Sequence, residues 1–379
     1  FRDALMNKGT VLNVEQEMKR RRRMRIIQAA GMLSVAAIAG GIMFFRYQNQ
    51  VKENTLQPAD LEVWLVADEN DTEDSAKERF AEMTADFSEA YSQIQLHVTA
   101  ISEQDYADRL NQAAAEDSLP DVFDSTYLEP EYMAQLQPLD ATCRLISDAS
   151  AYLFMDEYEK LFPEKKQMPL CFQVPVIYEH LDNSGTAAEL NSSLTLDDLK
   201  SGDAYSYSVK PETFLIYDNM LGDHCVEEYK AEAVAAGKNL MTDSYAMFRD
   251  GTVQYYLSDT GDYQMLTEDM PKQFQVVFPW DDSCFVRFDH LWSVNGKSSD
   301  EQKKAGQWLI YYMLSDSAQH ILGIRNLEGI PLSENMCNSF LEVYQGELNE
   351  VQQYLPKLSA GGADWINKNN EYMKKWKGE

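Results

Sequence analysis

Residues 26–45 form a run of twenty positions in which only Gln28 and Ser34 are polar. About 20 helical residues at 1.5 Å rise span the roughly 30 Å hydrocarbon core of a bilayer, so this run predicts one transmembrane helix. A cleaved signal peptide is the competing reading. The run is longer than a signal core, and the polar stretch in front of it, residues 1–25, is longer than a secretory leader carries. Six basic residues (Lys19, Arg20, Arg21, Arg22, Arg23 and Arg25) precede the run and Arg46 follows it. That asymmetry puts the N-terminus in the cytoplasm and the rest of the chain outside.

After a polar linker, residues 46–59, the pattern shortens. Leu61 to Val66 reads as a buried strand. Ala76, Phe80, Met83 and Phe87 recur at spacings of four, three and four, one apolar helix face. Ile94, Leu96 and Val98 alternate with Gln95 and His97, a strand covered on one side. A helix over about 103–116 precedes the short strand Pro120 to Asp124, which ends in a polar turn. This β-α-β-α-β order predicts an α/β domain with a mainly parallel sheet, in which ligands bind beyond the carboxyl ends of the strands.

Charge divides the chain in the same place. Residues 1–50 hold 9 basic and 3 acidic side chains, whereas the remainder holds 24 against 59. So acidic a domain repels phosphate backbones and anionic headgroups, which excludes nucleic acid as a partner and leaves the helix as the membrane contact. The five cysteines are scattered and odd in number, so no disulfide framework is expected. His224 and Cys225 are adjacent but lack further ligands at metal-site spacing, and no metal or cofactor is expected. Enzymatic motifs fail as well. Asn295-Gly296-Lys297-Ser298 imitates the end of a P-loop, but Leu291 stands where the first glycine belongs.

Specific phrases then carry a resemblance. Leu61-Glu62-Val63-Trp64, Phe87-Ser88-Glu89-Ala90-Tyr91, Asp105-Tyr106, Arg109-Leu110 and Pro120-Asp121-Val122-Phe123 are similar to the N-terminal lobe of family 1 extracellular solute-binding proteins of ABC importers. Leu136-Gln137-Pro138-Leu139-Asp140, Met168-Pro169-Leu170, Phe248-Arg249-Asp250-Gly251, Phe278-Pro279-Trp280, Trp292-Ser293-Val294-Asn295 and Gly329-Ile330-Pro331-Leu332 continue the pattern in order, over about 270 residues. The resemblance implies a two-lobed periplasmic-binding-protein-like fold over residues 60–379, with the N-lobe near 60–170 plus a returning segment and the C-lobe near 171–379. It weakens between His180 and Tyr245, where the chain is shorter than family members. Phe1-Arg2-Asp3-Ala4-Leu5 resembles the closing phrase of bacterial Hanks-type serine/threonine kinases, which implies a cytoplasmic kinase domain in cis and a receptor role.

Two lobes that close on a ligand touch it with residues just past strand ends. The ligand-binding candidates are therefore Asp68 and Glu69, Asp124 and Ser125, Tyr178 and Glu179, Asp259 and Thr260, Trp280, and Asp289 with His290. The plainer readings are helix caps for Asp68, Glu69 and Asp259, and a core aromatic for Tyr178. Trp280 offers a flat ring suited to a sugar face or a cation. The expected activity is non-enzymatic binding of a small solute, oligosaccharides included, by a single-pass membrane receptor that senses or serves an ABC permease. A protein-interaction ectodomain on a degenerate solute-binding scaffold is the alternative.

Overall fold

The computed structural model describes residues 56–377 except 68–71, 148–151, 155–156, 182–194, 202–203, 223, 281–283, 326–328, 344–346 and 356–357. The apolar run at residues 26–45 lies outside them. No helix among the described residues is long and apolar enough to cross a membrane.

Strands β1 (Ala59–Ala67), β2 (Ile94–Ser102), β3 (Val122–Asp124) and β4 (Met168–Gln173) start the first lobe. The chain crosses at Val174 and lays down β5 (Pro175–His180), the hairpin β6 (Lys200–Ser201) and β7 (Ala204–Tyr205), then β8 (Tyr207–Val209), β9 (Tyr255–Asp259) and β10 (Phe274–Val277). It returns through β11 (Cys284–Val294), β12 (Ile330–Pro331) and β13 (Leu358–Ala360). The first sheet has the order β2-β1-β3-β11-β4-β12 with β13 beside β11, and the second has the order β10-β5-β9-β8. The segment that returns to the first sheet therefore runs from Cys284 to Ala360.

Both sheets are mixed where a mainly parallel one was expected. β1 pairs in parallel with β2 and β3, and β8 with β9, but β11 runs antiparallel to β3 and β4. The reason is the crossing itself. β4 leads out of the first lobe and β11 leads back in, so neighbours at the lobe boundary must oppose each other.

Six helices position the rest: α1 (Glu73–Met83), α2 (Glu103–Ala115), α3 (Phe214–Leu221), α4 (Cys225–Ala235), α5 (Asp300–Met313) and α6 (Ala363–Lys377). In β1, Leu61, Val63, Leu65 and Ala67 are buried on one face. Trp64 and Val66 on the other pack against a cluster that includes Tyr106, Leu110 and Phe123, so both faces of the strand are covered. α5 seats on β1 and β11. A Cβ at Gly306 would lie 2.8 Å from Val122 Cγ2, so only glycine allows that approach.

α5 starts in a capping box, in which Ser299 Oγ accepts from Gln302 N at 3.2 Å and Gln302 Oε1 accepts from Ser299 N at 3.0 Å. Gln302 Nε2 also donates to Asp60 O and to Asp121 Oδ2, which ties the helix start to the sheet. Ser299→Ala is expected to cost about 1 kcal/mol in urea unfolding, the usual worth of such a cap. No change in midpoint would mean that Gln302 alone secures the end.

The second lobe is built on aromatic packing. Tyr178, Tyr207, Tyr217, Tyr229, Tyr256 and Phe214 are fully buried. Their hydroxyls find partners, as buried tyrosines require: Tyr217 lies 2.6 Å from Val176 O and Tyr207 donates to Cys225 O at 2.7 Å. Gly251, with φ +71°, turns the chain from a short helix into the approach to β9. All five cysteines are free thiols, four of them buried.

Candidate ligand-binding cleft

The carboxyl ends of β8 and β9 meet the first lobe at the crossing at Val174, where Thr260 N donates to Val174 O at 2.9 Å, and the chemistry there follows from strand periodicity. Arg287 and Asp289 lie two apart in β11 and so project from the same face, and Gln173 of β4 pairs directly with Arg287. β9 is buried along its whole length and ends in Asp259, while Lys210 immediately follows its parallel neighbour β8.

The result is a buried ion cluster that joins the lobes. Arg287 Nη2 lies 2.8 Å from Asp259 Oδ2 and 3.2 Å from Asp289 Oδ2. Lys210 Nζ lies 3.2 Å from Asp259 Oδ1 and 2.9 Å from Asp262 Oδ1. Asp259 also accepts from Gly261 N at 3.0 Å, and Asp262 accepts from the Tyr256 hydroxyl at 2.8 Å and from Ser258 Oγ at 2.5 Å. Thr260 Oγ1 donates to Gln173 Oε1 at 2.8 Å, a second tie across the boundary.

Burial drives the Asp259 carboxyl upward, but Lys210 and Arg287 outweigh it and hold it at about 2. For Asp289 burial is likewise overcome by Arg287 and then His290, leaving it below the usual carboxylate range. Glu212 differs: burial prevails over Lys210 and Arg287, and its carboxyl titrates above the ordinary value. The Tyr127 phenol is held up by burial and then by the fields of Glu103, Glu212 and Asp289. A tyrosine from one lobe thus stands within the field of carboxylates from both lobes.

The structure distributes the candidates unevenly. Asp259, Thr260 and Asp289 stand in the cluster. Asp124 and His290 meet, with His290 Nδ1 at 3.0 Å from Asp124 Oδ2. Trp280 lies on the second crossing and its Nε1 donates to Pro175 O at 2.8 Å. Ser125 is fully buried, with Oγ 2.7 Å from Leu291 O and from Ser293 Oγ, within the first sheet.

Tyr178 and Glu179 lie farther from the strand ends. β5 runs antiparallel to β9, with Pro175 opposite Asp259 and Glu179 opposite Tyr255, so the strand leads away from the cleft. The Tyr178 hydroxyl still reaches back to Asp259 O at 2.7 Å, while Glu179 is 1% exposed and accepts from Gln275 Nε2 at the far end. Asp68 and Glu69 are outside the described residues. The sequence reading missed Lys210, Glu212, Arg287 and Tyr127. Arg287 was the one with a signal, a single cation in an apolar strand with an acid two positions on.

α6 spans the boundary from the side. Toward the second lobe, the Tyr372 hydroxyl donates to Asp218 of α3, and Lys230 of α4 lies 5.4 Å from the Trp376 ring. Toward the first, Asn370 Nδ2 donates to Thr126 O at 2.9 Å and Lys374 pairs with Glu129 at 2.5 Å. Replacing Asn370 and Lys374 together by Ala is expected to cost under about 1 kcal/mol, since exposed pairs contribute little. The same change should lengthen the interlobe distance measured between spin labels on the two lobes. An unchanged distance would show that α6 merely rests on the first lobe.

Comparison places this architecture. Residues 225–336 match the family of bacterial extracellular solute-binding proteins. No curated protein sequence matches the chain. Among solved structures, the chain is similar to the ABC substrate-binding protein Lmo0181 from Listeria monocytogenes in complex with cycloalternan, at 16% identity and TM-score 0.60, covering 84% of this chain and 94% of that one. It is also similar to a solute-binding protein from Thermotoga lettingae bound with α-D-tagatose, at 13% identity and TM-score 0.59 over 84% and 92%. Maltose-bound MalE3 of T. maritima matches at 12% identity and TM-score 0.59 over 84% and 94%. At such identities the likeness is one of fold: the described domain has the two-lobed α/β architecture of ABC substrate-binding proteins, and its residues 225–336 carry the sequence pattern of bacterial extracellular solute-binding proteins.

Proposed function

We propose that this domain is an extracytoplasmic solute receptor that holds a carbohydrate between its lobes, tethered by the helix at residues 26–45 and signalling to a cytoplasmic kinase domain in cis. The observation that carries the binding reading is the meeting of the two lobes at a polar boundary, where Arg287 of the first sheet pairs with Asp259 of the second and the Tyr127 phenol lies in the fields of Glu212 and Asp289. Hydroxyl-rich ligands match such carboxylates and a phenol, and the similar structures hold cycloalternan, tagatose and maltose. Ligand bridging both lobes favours the closed arrangement and so gives a sensor a state to report. The basic segment before residue 26 and the kinase-like phrase at Phe1 support sensing over delivery to a permease.

A second reading has an observation of its own. The cations of the cleft floor are engaged by the protein's own carboxylates, as expected of a scaffold turned to protein contact. One experiment separates the two: a thermal-shift screen of the purified chain against mono- and oligosaccharides, amino acids and polyamines. A ligand that binds only the folded state raises the midpoint by mass action. A concentration-dependent rise with one sugar class is expected. A rise with polyamines or amino acids alone would discard the carbohydrate class, and no rise with any of them would favour the protein-contact reading.

A further inference from the structure

Beside the cleft, the first lobe has a second concavity that the ion cluster does not use. It is a cavity of about 40 Å³ between α1 and the first sheet, reaching Val66 near the end of β1 and Asp124 at the end of β3. Its wall is apolar: Phe80 and Trp292 stack with ring centroids 5.7 Å apart and planes within 16°, and Met83 and Leu322 complete it. Its polar lining consists of Arg79, Asp124 and His290.

Two features mark it as more than a packing gap. Asp124 is 2% exposed, with Oδ1 taken by Thr126 N at 2.9 Å and Oδ2 by the His290 ring at 3.0 Å. His290 has φ +53° in the middle of β11, and the β11–β4 ladder pairs Asp289 and Leu291 but skips it. A non-glycine residue held in the left-handed region inside a strand is strained. Such strain persists where the surroundings impose it, characteristically at ligand sites. Here the strained backbone goes with a ring set against Asp124 at the cavity.

We infer that this cavity is a subsite for the acetamido substituent of an N-acetylated amino sugar. The inference rests on the carbohydrate reading above and names its class. Size decides first: at roughly 10–15 Å³ per water the cavity holds about three waters, so a substituent fits and a sugar ring does not. Chemistry decides next. A hydroxyl or hydroxymethyl leaves the aromatic wall uncovered, while a carboxylate or sulfate brings a full charge against apolar walls and Asp124. An acetamido group divides as the cavity does, with a methyl for Phe80 and Trp292 and a carbonyl oxygen for Arg79 or His290.

The test is calorimetric titration of the purified chain with N-acetylglucosamine and its β-1,4 dimer against glucose and cellobiose, which differ only at the 2-substituent. The acetylated sugars are expected to bind at least about tenfold tighter, the discrimination a filled apolar pocket provides. Ala76→Leu, which extends methyl groups from α1 into the cavity, should erase that preference. His290→Asn keeps a residue tolerant of positive φ while removing the ring, and it should weaken the acetylated sugars selectively. Equal affinities in the wild type, or a preference that survives both variants, would overturn the subsite and leave the carbohydrate reading standing. Absence of binding by all four sugars would likewise overturn the subsite, and the thermal-shift screen then decides the carbohydrate reading.

Discussion

Arg287→Met is expected to destabilise the domain by about 3–5 kcal/mol in urea unfolding, the usual cost of removing one partner from a buried ion cluster. Arg287 is 7% exposed and Asp259 fully buried, so neither charge has bulk water to fall back on. The penalty comes less from the lost attraction than from what remains. Asp259 would keep Lys210 and the Gly261 amide, and Asp289 would lose its nearest cation. A double variant tests this account directly. Arg287→Met with Asp289→Asn removes the stranded charge, while Asp259 retains Lys210, so it should cost less than the single change. If the single variant costs under about 1 kcal/mol, water reaches the cluster and the buried-charge argument fails.

The cluster also explains what the sequence could convey. Local elements were readable because their signals lie within a few residues: the alternation in β2, the four-three spacing of Ala76, Phe80 and Met83 in α1, the phrase before β9. Asp259 was nameable from the strand-end rule alone. Its partners were not, since Lys210 is 49 positions away and Arg287 28, and a single charge in a strand gives no indication of what it will meet. Asp124 and His290 were named separately and meet across 166 residues. Strand direction was the other hidden quantity. Tyr178 and Glu179 follow the first crossing in sequence as a ligand contact should, yet β5 points into the second lobe. Ser125 illustrates the same limit, because a hydroxyl after a strand reads alike whether it faces a cleft or the neighbouring β11.

Acid should expose the cluster through a stability curve with two opposite limbs. Glu212 titrates above its ordinary value in the folded domain, so its neutral form is favoured there. Its contribution is present below the unfolded value near 4.5 and is lost as pH rises through the folded value, which makes mild acidification slightly stabilising. Asp259 acts the other way, with a folded value of about 2 against 3.8 unfolded. Its contribution is present above 3.8 and disappears as pH falls toward 2, a loss of about 2 kcal/mol at 1.36 kcal/mol per unit. Asp289 is lowered too and adds to the fall. The chain is rich in other acids, so the informative quantity is the difference between wild type and Asp259→Asn in urea unfolding from pH 6 to pH 2. That difference should stay level down to about pH 4 and then shrink by about 2 kcal/mol. A difference that stays level to pH 2 would mean that Lys210 and Arg287 do not hold the carboxylate ionised in the folded state. One that grows as pH falls from well above 4 would mean that burial, not the two cations, sets its titration.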